Sequence, residues 1–140
     1  MSGASGYFVS GRLVRDPYII RTGERVVALY TIATRDGYRD RSGEFKRTTN
    51  FVPVVSTGGQ AEADARFLQA NSIVAIRGRI ESWYKPESCR GGISLKVLSI
   101  DYLSPSGSAA DTTSDDDVIA GHAHEQWVAE YTAAEEQDFG

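Results

Sequence analysis

The sequence predicts an all-β fold with one helix, followed by a disordered acidic C-terminal tail. Three observations point there. Residues 1–105 contain five runs rich in β-branched and aromatic residues, each closed by glycine or proline turn chemistry. A single segment among them, Gln60 to Ala70, has helical composition. Charge then divides the chain. All 15 Lys and Arg lie between Arg12 and Lys96, and residues 1–105 also hold ten Asp and Glu, a net charge of +5; residues 106–140 hold nine acids and no Lys or Arg, a net charge of −9. The formal charge of −4 for the whole chain hides a basic body joined to an acidic tail.

The first run is Tyr7 to Val14, closed by Asp16-Pro17 and continuing through Tyr18-Ile19-Ile20 to Thr22-Gly23. The second is Arg25 to Arg35, with Val26, Val27, Leu29, Tyr30, Thr31 and Ile32. The third runs from Arg47 to Val55. Pro53 removes a donor in its middle, so this strand needs an edge position or a bulge there. The helical segment QAEADARFLQA follows the pair Gly58-Gly59. The fourth run is Ser72 to Tyr84 and the fifth Ile93 to Leu103. Five strands with a helix between the third and fourth is the order of a five-stranded oligonucleotide/oligosaccharide-binding (OB) barrel. A five-stranded SH3-like barrel is the rival, and it does not usually place a full helix in that slot.

Residues 1–105 are enough for one core and one domain. Residues 104–117, SPSGSAADTTSDDD, have no large apolar side chain to offset the entropy of ordering, so 106–140 is expected to be a largely disordered acidic tail. Within it, Trp127, Val128 and Tyr131 fall at positions that would form one side of a short helix. Cys89 is the only cysteine, which excludes an intrachain disulfide and a multi-cysteine metal site. No apolar run approaches the roughly 18 residues of a membrane span. MSGASGYFV has no basic stretch followed by an apolar one, so a cytoplasmic, nucleoid-associated location is expected.

The fourth run carries the clearest chemistry. Period-2 alternation puts Val74, Ile76, Gly78 and Ile80 on one face and Ala75, Arg77, Arg79, Glu81 and Trp83 on the other. An apolar inner face with Arg, Arg and Trp outside suits a groove that holds phosphates and stacks bases. It suits a solvated strand face equally. In the third run Arg47, Thr49 and Phe51 share a face opposite Val52 and Val54, with Phe51 fit either for stacking or for the core. The connection Asp36 to Lys46, with its flanks, carries Arg35, Arg39, Arg41, Lys46 and Arg47, with Tyr38 and Phe45 inside it. A long basic and aromatic hairpin of this kind is able to close over a nucleic-acid strand. Single strands are bound by this combination of cations along the backbone and aromatic faces for the bases.

No catalytic constellation is present: the body holds no histidine, no phosphate loop and no Ser/His/Asp arrangement. An enzyme is therefore not expected. Asp138-Phe139-Gly140 spells a kinase tripeptide with no glycine-rich or catalytic loop before it. His122, His124 and Glu125 spell HAHE in the tail without further ligands nearby. No metal and no other cofactor is expected.

Three motifs in order, GYFVSGRLVRDP (Gly6 to Pro17), ALYTIATRDGYRDRSGEFKRTTNF (Ala28 to Phe51) and IVAIRGRIESW (Ile73 to Trp83), resemble bacterial-type single-stranded DNA-binding proteins over residues 6–103. The resemblance implies base stacking at Tyr38, Phe51 and Trp83, each where that family has a tryptophan. Where the family has a phenylalanine just after the third strand, this chain has Ser56-Thr57. The resemblance also implies a homotetramer built from two strand-joined dimers. The family's tail ends in acids, a proline and a terminal phenylalanine that docks on partners. Here Glu135, Glu136, Asp138 and Phe139 remain, the proline is missing, and Gly140 follows.

Binding of single-stranded DNA without strong sequence preference is the expected function, in replication, recombination, repair or plasmid and mobile-element transfer. Arg35, Arg39, Arg41, Lys46, Arg47, Arg77 and Arg79 would meet phosphates, and the tail would recruit replication or repair proteins. Two alternatives stand beside it. One is an accessory OB protein of replication restart or conjugation acting mainly through protein contacts. The other is an RNA chaperone using the same stacking chemistry.

Overall fold

A computed structural model describes residues 6–85, 90–104 and 115–138, without the side chains of 36, 83–85, 90, 91, 104, 115–120 and 134–138. The elements in chain order are β1 (Tyr7–Leu13), β2 (Tyr18–Thr22), β3 (Arg25–Arg39), β4 (Phe45–Thr57), α1 (Gly58–Phe67), β5 (Ile73–Lys85), β6 (Arg90–Ser104) and α2 (Asp115–Asp138).

The first predicted run is two strands. Asp16-Pro17 breaks it, and β2 then pairs only with β3, from Tyr18↔Leu29 to Thr22↔Arg25. The other five strands pair in a ring: β1 with β5, β5 with β6, β6 with β4, β4 with β3, and β3 back to β1. All are antiparallel except β4–β6, which is parallel at Val54↔Leu95 and Val55↔Lys96. Ring closure needs the β1 and β3 backbones to come close. Gly11 permits it, because a Cβ there would strike the Ala33 carbonyl. Up to Pro53, β4 has only β3 beside it; β6 joins at Val54, so the missing donor falls at an open edge as the sequence requires.

Alternation fills the ring. Ala28, Tyr30 and Ile32 of β3 point inward and meet Val54, Val74, Ile76 and Leu95. The helix α1 lies between β4 and β5 in sequence and is anchored by one residue. Asp64, fully buried, accepts hydrogen bonds from Tyr30 Oη (3.1 Å) and Ser56 Oγ (2.6 Å) on Oδ2, and from Gln60 Nε2 (2.9 Å) and Tyr102 Oη (2.7 Å) on Oδ1.

The run Val26 to Ile32 is apolar at nearly every position, which marks a strand covered on both faces. The outer cover is α2. Val27, Leu29 and Val55 form a second cluster with Trp127 and Val128, and Ile20 and Tyr131 pack at its margin. Here the chain departs from the expectation of a largely disordered tail. The Trp127, Val128 and Tyr131 side predicted for a short helix is real, and the helix extends over 24 residues because that side has a partner on the barrel.

Candidate nucleic-acid interface

The β3–β4 ladder continues past the barrel to Arg39↔Phe45, so most of the predicted loop is paired strand. Only residues 40–44 turn. The Asp40 carboxylate closes that turn by accepting from Ser42 N (2.9 Å), Ser42 Oγ (2.6 Å) and Glu44 N (3.0 Å), and Gly43 takes the left-handed conformation at φ 83°. The Ser42 hydroxyl above all holds the Asp40 carboxyl below its usual range.

Residues directly opposite on paired strands share a face. The register therefore sorts the candidate residues. Ala33↔Phe51, Arg35↔Thr49, Gly37↔Arg47 and Arg39↔Phe45 form one strip. It continues the face on which Leu29↔Val55 and Thr31↔Pro53 lie under α2. Phe51 is half-buried at the edge of the barrel, and the basic residues beyond it are exposed. Phe45 lies across Gly37, where a Cβ would meet the ring, and the Arg47 guanidinium stands 6.0 Å from the Phe45 centroid. Arg39 Nη1 donates to the Gly43 carbonyl at 3.3 Å. Phe51, Arg35, Arg47, Arg39 and Phe45 thus present three cationic groups between two flat ones on one surface.

Tyr38 and Lys46 pair with each other and so lie on the opposite face of the hairpin. Tyr38 is 52 % exposed, and Lys46 Nζ stands 3.7 Å from Asp40 Oδ2. Arg41 is at the exposed tip. Arg77 and Arg79 form a third group. Both are exposed on β5, which β1 separates from β3 and β6 separates from β4. Arg77 pairs with Phe8 of β1 and Ser99 of β6. Arg79 Nη2 holds Glu81 Oε1 at 3.0 Å and pairs with Lys96. The candidate residues are therefore spread around the barrel on three patches. Trp83 stands opposite Gly92 on β5, with its side chain outside the described residues. Glu135, Glu136 and Asp138 fall in the last turns of α2 with side chains outside the described residues, and Phe139 lies wholly outside them.

Two aromatics absent from the predicted contacts join these patches. Phe8 is 71 % exposed beside Arg77, and Phe45 is 55 % exposed beneath Arg47. Alternation about Val9, which packs on the core, is the signal that puts Phe8 outside. The polar pair at 56–57 is explained by structure: Ser56 is buried on Asp64, and Thr57 is the residue at which α1 begins. The HAHE tetrapeptide does not converge, because His122 is exposed while His124 is buried against Thr31. Among the described residues no group of three or more potential ligands gathers.

The profile of the single-strand binding protein family matches residues 5–100, over two thirds of the chain. The chain belongs to this family. A single-stranded DNA-binding protein of Halalkalibacterium halodurans is 32 % identical over 115 residues, 79 % of this chain and 67 % of that protein. One from Caldanaerobacter subterraneus subsp. tengcongensis is 37 % identical over 73 residues, 51 % of this chain. The match spans about half of that relative, 47 % of its length. Among solved structures, a Plasmodium falciparum SSB in complex with ssDNA superposes with a TM-score of 0.67 at 19 % identity, covering 74 % of this chain and 98 % of that one. That likeness is one of fold, and it agrees with the ring of strands described above. Among the described residues no helix is long and apolar enough to cross a membrane.

Proposed function

We propose that this member of the single-strand binding family binds single-stranded DNA without strong sequence preference, as a binding protein and not as a catalyst. The observation that carries the reading is the Phe51–Arg35–Arg47–Phe45 strip on one face of the β3–β4 hairpin. Aromatic faces take bases and guanidinium groups take phosphates, a combination that does not depend on base identity. Phe8 and Arg77 form a second patch on the far side of the barrel, which suits a strand that wraps around the domain. The processes served are replication, recombination, repair or transfer of a mobile element. β1 pairs with β3 only at Arg12 and Leu13, so its Tyr7 to Gly11 edge suits pairing with a second copy on the way to a homotetramer. The acidic end from Glu135 to Phe139 would recruit proteins, and removing Phe139 and Gly140 should then abolish their capture.

The testing experiment is a fluorescence titration with oligo-dT, duplex DNA and matched RNA at two salt concentrations. Trp127 is buried under α2, so quenching by oligo-dT should come from Trp83 and persist in a Trp127→Phe chain. The log of affinity should fall with log salt by about 0.7 for each phosphate neutralised. Arg77→Ala should weaken binding more than Arg79→Ala, because Glu81 already partners Arg79. Equal affinity for duplex DNA, or affinity indifferent to salt, would contradict the reading.

A further inference from the structure

Beside the apolar cluster, α2 meets the barrel through a buried hydroxyl. Thr31 Oγ1, 1 % exposed, accepts from Trp127 Nε1 at 2.7 Å and stands 2.8 Å from His124 Nδ1. An indole N–H only donates, so it takes a lone pair of the threonine oxygen. The one hydroxyl hydrogen of Thr31 finds its acceptor, among the described residues, in His124 Nδ1, and only when that nitrogen is the unprotonated one of a neutral ring are all three groups satisfied. The tautomer of the docked state follows: hydrogen on Nε2, none on Nδ1.

Adding a proton to Nδ1 turns this arrangement against itself. The two lone pairs of the oxygen could take both N–H donors, but the buried threonine hydrogen would lose Nδ1 as its acceptor. The charged ring would also be 5 % exposed and edge-on to Trp127 at 6.4 Å between centroids. The charged groups acting on it are Arg15, from the β1–β2 connection, and Glu125, on α2 itself. The Arg15 guanidinium rests against Gly121, where a Cβ would collide with it. Facing His124 from β3 is Thr31, which is uncharged. Burial first, then Arg15, holds the imidazole below its ordinary range, with Glu125 opposing weakly.

We propose that α2 is a proton-sensitive latch: neutral His124 keeps it clamped over the Val27, Leu29 and Val55 half of the β3–β4 face, and protonation of His124 releases it. The sign is fixed by linkage. The docked state binds the proton less readily than the released state, so the contribution of neutral His124 to docking is full above the ordinary histidine range and is lost as pH falls through it. Below that range the docking equilibrium changes by up to about tenfold per pH unit. Release uncovers an apolar strip continuous with Ala33 and Phe51.

The test follows the side chains of the full chain by NMR between pH 7.5 and 5.5. Val128→Asp, which sets a carboxylate in the apolar cluster with Val27, Leu29 and Val55, supplies the spectrum of the released state at neutral pH. We expect the Trp127 indole N–H signal to move toward that reference as pH falls. In His124→Gln, whose amide can still bond Thr31, the movement should disappear. A Trp127 signal that stays constant across this pH range overturns the proposal, as does a transition unchanged in His124→Gln.

Discussion

Replacing Asp64 with alanine should cost on the order of 3–5 kcal/mol of folding stability, the largest loss from any single side chain outside the apolar core. The carboxylate is acceptor-only, and all four of its partners donate. Alanine would leave the Tyr30 and Ser56 hydroxyls buried without acceptors, and α1 would lose its tie to both strands. Asp64→Asn should fall between, because its amide nitrogen can no longer accept from one of the two donor pairs. Chemical denaturation measures both. The same cluster sets an alkaline limit. Burial, then Asp64, raises the Tyr30 hydroxyl well above 10.0, and the Tyr102 hydroxyl is raised for the same reasons. The folded state therefore keeps protons that the unfolded chain releases near pH 10.0, so the stabilisation is full below that pH and is lost as pH rises past it. A loss in Asp64→Ala no larger than that of a surface substitution would show that α1 is held by packing alone.

Phe51→Ala combined with Arg47→Ala should give the largest loss of oligo-dT binding. Phe51 contributes roughly 1–3 kcal/mol if a base stacks on it. Arg47 contributes one phosphate, so the salt slope should become shallower by about 0.7. The two effects are separable: Phe51→Ala alone weakens binding without altering the slope, and Arg47→Ala alone alters the slope. Phe51 is half-buried, so a thermal melt of each chain guards against loss of fold. The paired substitution on β5, Arg77→Ala with Phe8→Ala, should weaken binding less if the hairpin strip is the primary contact.

The barrel was legible because period-2 alternation and turn residues are local signals. β5 shows this best, with Val74 and Ile76 fully buried and Arg77 exposed as the pattern requires. The break of the first run into β1 and β2 was legible at Asp16-Pro17 but was read as a pause, because only the pairing partner distinguishes one bent strand from two. The strands of the long hairpin extend past the runs Arg25 to Arg35 and Arg47 to Val55. Its polar, charged residues past Arg35 pair through backbone, which side-chain composition does not report. The candidate residues are legible by type, but their grouping is not. Tyr38 and Phe45 are close in sequence and lie on opposite faces, a consequence of register alone. The α2 helix was the hardest to foresee. Its acidic composition argues for disorder, and its partner, the doubly covered run Val26 to Ile32, lies some hundred residues earlier in the chain.

The most direct test of the central claim is a map of backbone and side-chain NMR shifts on adding oligo-dT to the full chain at low salt. The account predicts the largest changes at Phe51, Arg47, Arg35 and Phe45, smaller ones at Phe8 and Arg77, and all of them reversed by added salt. Changes confined to α2 or to α1, with the β3–β4 strip silent at saturation, would contradict it.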